Sequence, residues 1–148
     1  MPSTHVSLHY HLIFSTKDRR SFISPGIRPR LHAYLGGIVR TLAGTALEIG
    51  GPDDHVHLLV GLKATHVLAD VMRVLKAESS KWVHGELGLS TFARQEGYGA
   101  FTASRSDVST VRGYVQEQEE HHRTRSFQDE YRQLLLKHEI EFDERYLW

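Results

Sequence analysis

The chain has no cysteine, so disulfides and thiolate metal sites are excluded. It has no apolar run near the length of about 20 residues that a membrane-spanning helix needs. Its first ten residues, MPSTHVSLHY, have neither the basic start nor the apolar centre of a secretory signal, which makes a cytoplasmic location the simplest expectation. Net charge is also lacking: 18 Lys and Arg balance 18 Asp and Glu, so there is no global basic footprint for nucleic acid. No internal repeat, linker or low-complexity segment interrupts the chain.

At 148 residues the expectation is one domain, residues 1–148. Its 40% hydrophobic and 24% charged residues place it among ordinary globular proteins. Two features depart from the average. The segment STKDRRSFISPGIRPR holds five Lys or Arg and one acid, a local basic face. Eleven histidines are many for this length, and histidine serves metals and proton transfer, so they direct attention to a site.

Periodicity supplies the elements. Residues 5–16 alternate Leu8, Tyr10, Leu12 and Phe14 with His9, His11 and Ile13, a strand pattern. Ser24 and Pro25 read as the start of a helix carrying Ile27, Leu31, Tyr34, Leu35, Ile38, Val39 and Leu42, ending near Gly44. The pair Gly36-Gly37 within it reads as close packing on a sheet. Residues 45–50 and 55–62 form strands of a hairpin around the turn GPDD. Thr65 is expected to cap a second helix with Val67, Leu68, Val71, Val74 and Leu75, then Trp82 and Val83, broken at GELGLS. Residues 98–104 make a fourth strand. Ser106 or Asp107 caps a third helix through VSTVRGYVQEQEEHHR, and a last helix spans about 127–139. The order is that of an α+β, ferredoxin-like βαββαβ antiparallel sheet with additional C-terminal helices, in which the helices cover one face and leave the other free.

His55 and His57 are two apart on a strand, so they project together while Val56 joins the core. Two adjacent imidazoles can share a divalent cation or simply face solvent. His9 and His11 have the same spacing, so spacing does not choose between the pairs. A metal needs a third ligand. On the third helix Tyr114 and Gln118 lie one turn apart, flanking a stripe of Val108, Val111 and Val115. Read alone, Tyr114 is a half-buried packing residue and Gln118 a surface one. After Val115 the helix reads QEQEEHHR with no apolar residue, so its later part must be solvated or docked on something polar.

In YHLIFSTKDRR, PDDHVHLLV, YVQEQEEHHR and the closing FDERYLW, the chain resembles the IS200/IS605-type transposases, including the REP-associated tyrosine transposases, within the HUH superfamily of single-strand DNA endonucleases. The resemblance implies that His55, His57 and Gln118 hold a divalent metal, Mg²⁺ or Mn²⁺, and that Tyr114 is the nucleophile. It implies a covalent 5′-phosphotyrosine, single-stranded DNA with hairpin ends as partner, and a homodimer whose tyrosine acts in its own subunit or the other. The usual Pro-Asp-His run has an extra acid here, PDDHVH, so the supporting acid is Asp53 or Asp54, with Asp54 adjacent to the histidine. Gly113 beside the tyrosine is a second departure. His121 and His122 are candidates for proton transfer or phosphate contact, against a solvated helix end. Lys17, Arg19 and Arg20 after the first strand, and Lys76 and Lys81 in KAESSKW, are candidate DNA contacts. His9 and His11 read as sheet residues.

Two other classes compete. A non-catalytic single-stranded nucleic-acid-binding module of ferredoxin-like fold would carry aromatics on its open face, where this sequence places histidines. A metal-independent phosphoesterase would carry paired His-x-Ser/Thr motifs, of which HVS at 5–7 is one, and ranks last.

Overall fold

The computed structural model describes residues 3–88 and 97–147. Four strands, β1 (Leu8–Ser15), β2 (Thr45–Gly50), β3 (His55–Leu62) and β4 (Gly99–Ala103), form one sheet in the order β2-β3-β1-β4. β1–β3, β1–β4 and β2–β3 all pair antiparallel. With α1 (Arg28–Thr41) and α2 (Leu68–Glu86) as crossovers, this is the expected βαββαβ arrangement. Three shorter helices follow: α3 (Val108–Gln116), α4 (Gln118–His121) and α5 (Phe127–Lys137). Among the described residues no helix is long and apolar enough to cross a membrane.

Alternation along the strands builds two layers. Leu12 and Phe14 of β1 and Val56, Leu58 and Val60 of β3 meet Leu31, Leu35 and Val39 of α1 and Val71, Met72 and Leu75 of α2. Tyr34 and Trp82 stack between the two helices, ring centroids 4.7 Å apart. Gly36 is buried against Ile49 and Ala46, the close helix–sheet approach expected of the pair, whereas a Cβ on Gly37 would meet only the Arg40 side chain.

The opposite face is not free. Ile13 of β1 and Phe101 of β4 are buried under Phe127, Tyr131 and Leu135, the apolar stripe of α5. Leu59 and Ala103 are buried under Val108 of α3. The reason is local: α5 repeats apolar residues at spacings of four, and such a stripe must find a partner. The sheet's second face is the apolar surface it covers.

Several element ends differ from expectation. Ser24 accepts from the amides of Ile27 and Arg28 in a turn, and α1 starts four residues later with Pro29 in its first turn. Thr65 does not cap α2. His66 closes that turn instead, accepting from the Lys63 amide at 2.8 Å while its Nε2 meets the Leu42 carbonyl at 2.6 Å. Neither Ser106 nor Asp107 caps α3 through its side chain; a 3₁₀ turn over Arg105–Asp107 leads into it. The third helix is not continuous to residue 123. It breaks at Glu117 (φ −97°, ψ 19°), which re-aims Gln118 and everything after it.

Two glycines are required where β2 turns into β3. A Cβ on Gly50 would overlap the carbonyl oxygen of Val115, so this glycine lets the end of α3 lie on the sheet edge beside His57, its strand partner. Gly51 has φ +151°, and a Cβ there would overlap the carbonyl of His55. Gly50→Ala is expected to push α3 off the sheet and lower stability by about 2 kcal/mol or more, within the range for overpacking, measured by urea unfolding. Away from this edge, His32 of α1 has a buried Nε2 with no partner, and burial together with the Arg28 charge lowers its pKa from 6.5 to about 4. The unfolded chain therefore takes up this proton near pH 6.5 and the folded chain does not, so stability is lost as pH falls from about 6.5 towards 4. The drop in Tm between pH 7.5 and pH 5 should be smaller in His32→Gln than in the wild type.

Candidate metal centre and nucleophile

The register decides which histidine pair gathers into a site. β1 and β3 pair Ile13 with His57, Ser15 with His55 and His11 with Leu59. His55, His57 and His11 therefore share the face covered by α3–α5, with His11 diagonal to His57. His9 is opposite Gly61, further along the sheet. His55 and His57 are fully buried, ring centroids 4.9 Å apart.

Each ring is held from behind. Asp54 Oδ1 lies 2.7 Å from His55 Nδ1 and accepts its proton. His11 Nε2 lies 2.7 Å from His57 Nδ1. Both bonds leave the Nε2 atoms facing inward, the arrangement that orients metal-ligating imidazoles. What they face is Glu130 of α5, which is 1% exposed. Its Oε1 lies 3.2 Å from His55 Nε2, 3.0 Å from His57 Nε2 and 3.2 Å from His122 Nε2. Its Oε2 accepts the hydroxyl of Tyr114. Burial alone would raise the Glu130 carboxyl, but bonds from His122, His55 and His57 hold it far below the usual carboxylate range.

The other groups titrate in response. Burial lowers His55, but its bonds to Asp54 and Glu130 outweigh that and raise it. Burial dominates at His57 and takes it down to about 4, and at His11 to about 3. Tyr114 is raised, first by burial and then by the Glu130 charge.

Gln118 is buried rather than on the surface. Its Oε1 is 3.4 Å from His55 Nε2 and its Nε2 donates to the Tyr114 carbonyl at 3.3 Å. The Tyr114 ring is 5.9 Å from that of His57, so a single chain brings tyrosine, glutamine and the histidine pair together. His121 and His122 separate: His122 joins the cluster, while His121 packs its ring 4.9 Å from Tyr114. His55, His57, His122 and Glu130 offer ligand atoms all within 4.8 Å of one another. Three imidazole nitrogens and one carboxylate oxygen, with their outward nitrogens on His55 and His57 already engaged, suit a divalent cation of the Mn²⁺–Zn²⁺ type better than Mg²⁺.

The basic candidates fare unevenly. Lys17 and Arg20 are exposed in the loop after β1, whose Thr16 amide bonds the Asp54 carbonyl at 2.8 Å, so they border the His55 end of the site. The Arg19 side chain falls outside the described residues. Lys76 is turned inward: it is buried and its Nζ donates to the Gly97 carbonyl at 2.6 Å. Lys81 is exposed on α2, in the layer across the sheet from the histidines.

His11 and Glu130 join the site without a motif that marks them in the sequence. His11 needed the strand register. Glu130 did leave a trace: with Phe127, Tyr131 and Leu134 it falls at spacings of three, four and seven, an acid on an apolar stripe.

The family model described as "Transposase IS200 like" matches residues 4–118. The chain belongs to this family. The match includes His55, His57, Tyr114 and Gln118 and stops before His121, His122 and Glu130. Two solved structures share the transposase's fold. One is a Deinococcus radiodurans protein described as a transposase, at TM-score 0.65 and 22% identity over 80% of this chain and 95% of that one. The other is a REP-associated tyrosine transposase bound to a REP hairpin, at TM-score 0.60 and 14% identity over 82% of this chain and 73% of that one. No curated protein sequence matches the chain.

In this transposase buried Glu130 is the acceptor for four donors, two buried and two half-buried. Glu130→Ala should lower the stability of the metal-free protein by about 3–5 kcal/mol, the usual cost of removing one partner from a buried ionic cluster. Urea unfolding at pH 7 checks this, and an unchanged midpoint would show that Glu130 holds nothing together.

Proposed function

We propose that this transposase cuts and rejoins single-stranded DNA with Tyr114 as nucleophile, at a divalent cation held between His55, His57, His122 and Glu130 with Gln118 alongside. One observation carries the reading: the carboxylate that touches both strand histidines also binds the tyrosine hydroxyl. Nucleophile and cation-binding groups are thereby held within one carboxylate's width. The hairpin bound to the REP-associated neighbour supports a hairpin-bearing single strand as the substrate class.

A phosphodiester resists attack because its oxygens are negative. A cation bound at this cluster supplies charge to the phosphate oxygens. The chain's own groups do the rest. The Tyr114 oxygen attacks phosphorus, the P–O3′ bond breaks, and the freed 3′ oxygen takes a proton. The phenol proton leaves along its bond to Glu130 Oε2. In the resting site this transfer is uphill, since Tyr114 is raised and Glu130 lowered. It proceeds as the phenol oxygen's charge is taken up in the new P–O bond. The product is a 5′-phosphotyrosine, and attack on it by another 3′-hydroxyl rejoins the strand and restores the phenol. His57 and His11, held low by burial, are neutral at pH 7, the form that ligates metal.

Because Tyr114 meets the histidines of its own chain, catalysis in this reading runs in cis, and a homodimer would hold two complete sites. The rival reading, a non-catalytic binding module, needs an open sheet face for base stacking. That face is covered by α3–α5.

The test is a labelled single-stranded hairpin incubated with Mn²⁺ or Mg²⁺ and run on a denaturing gel. Label should migrate with the wild-type protein, and chelation should abolish it. Tyr114→Phe should form no adduct, and His57→Ala should lose at least a hundredfold in rate. Mixing Tyr114→Phe with His57→Ala should restore nothing. Restoration would place the tyrosine in trans, and an adduct on Tyr114→Phe would remove it as nucleophile.

A further inference from the structure

A cleft of about 440 Å³ opens beside Tyr114, on the side away from the His55–Asp54 pair. Its walls include the rings of His11, Phe101, Tyr114 and His138, and its rim carries Arg125 and Lys137. We infer that this cleft seats one unstacked nucleotide of the DNA strand next to the phosphate that Tyr114 attacks, with Arg125 on that phosphate and Lys137 on its neighbour. The inference rests on the transposase reading of Tyr114 given above.

Three observations carry it. The first is size and lining. The volume lies within the range of small-molecule sites, roughly 300–1,000 Å³. Aromatic walls recognise the π-face of any base, and such stacking is the sequence-tolerant way to hold a single strand. Phe101 and His11 are buried, so the half-buried rings of Tyr114 and His138 offer the stacking surface, and His138 is held by packing on Phe101, centroids 4.6 Å apart.

The second is unspent charge. Arg28, Arg112, Arg132 and Arg145 each pair with a carboxylate. Among the described residues no carboxylate pairs with Arg125 or Lys137, and both side chains are exposed. Arg125 lines the same cleft as Tyr114. A guanidinium lining the cleft beside Tyr114 is placed for the phosphate being attacked.

The third is polarity across the site. A second cleft, of about 370 Å³, lies on the far side of Arg125 and is lined by Asp18, Asp53, Asp54 and His122. Asp18 and Asp53 there share the sign of a phosphate backbone, while Asp54 is bonded to His55. Arg125 lines both clefts, so it stands at the boundary where a strand is admitted on the Tyr114 side and refused on the other. Asp107 is the one acid lining the Tyr114 cleft.

The experiment uses the full chain carrying Tyr114→Phe, so that binding is read without cleavage. Labelled oligothymidylate is titrated over a range of salt, beside an abasic oligomer of the same length. The expectation is that the base-bearing strand binds about tenfold tighter than the abasic one. R125A and K137A should each reduce the slope of log Kd against log salt by about one, the signature of one lost phosphate contact. R125K should keep the slope and lose part of the affinity. On the Tyr114 background, R125A should slow adduct formation by ten- to a hundredfold, on the order of one lost charge-stabilising donor. Mn²⁺ affinity should be unchanged in R125A, which separates a lost phosphate contact from a collapsed site. Unchanged salt slopes in both variants, or equal binding of the abasic strand, would overturn the proposal. A wild-type protein that forms no adduct while the slopes shift would fail the transposase chemistry and leave the strand cleft standing.

Discussion

Glu130 is the group on which the second layer of this protein depends. A carboxylate with 1% exposure is stable only if its lone pairs are answered, and four side chains from three different parts of the fold answer it. His55 and His57 come from β3, Tyr114 from α3, and His122 from the link between α4 and α5. Were those donors absent, α5 would bury an uncompensated charge when its apolar stripe docked. Were α5 absent, three imidazoles would face one another with only Asp54, behind His55, as a counter-charge. The apolar contacts of Phe127, Tyr131 and Leu135 bring the helix to the sheet, and the carboxylate fixes where along the sheet it stops.

The fold serves this cluster through close approach rather than through long reach. Gly50 lets the carbonyl of Val115 sit against β2, and that contact places Tyr114 one residue away, over the histidine pair. The break at Glu117 then turns Gln118 inward. A continuous helix would keep it on the flank of the valine stripe. The ion pair of Arg28 with Glu119 ties α4 to the start of α1, across the two layers. The Arg28–Glu119 pair is exposed on its Glu119 side and adds little net stability. The effect of these contacts is geometric, since each bond removes a way for Tyr114 to drift from the histidines.

Much of the fold was legible because strands and long helices announce themselves by period. The alternation of Leu12 and Phe14 with His11 and Ile13, and the spacing of Leu31, Leu35 and Val39, needed no three-dimensional information. Ends were less legible. Ser24, Thr65, Ser106 and Asp107 are all good capping residues, yet none caps its helix with its side chain: α1 and α2 start further along, at N-caps Ile27 and Val67, while Asp107 holds the N-cap position of α3 without a side-chain bond. Within the site, His55, His57, Tyr114 and Gln118 were legible as a set only through family resemblance. Asp54 was reached by adjacency. His11 was dismissed because HYH and HVH are equivalent until strand register places one of them beside the other.

The sequence by itself determined the element order, the single buried layer of α1 and α2, and which strand residues share a face, since these follow from local period and side-chain volume. It also carried the family pattern through Gln118. Only the tertiary structure decided that the sheet's second face is closed, that Lys76 is spent inside the protein, and that Arg125 rather than a residue of the basic KDRR segment stands beside the tyrosine. It decided as well that Glu130, beyond the family match, is the hub of the candidate metal centre. The physical reason is the same in each case. These outcomes depend on contacts between residues from 8 to more than 70 positions apart, and one-dimensional spacing encodes which face a side chain takes but not what it meets there.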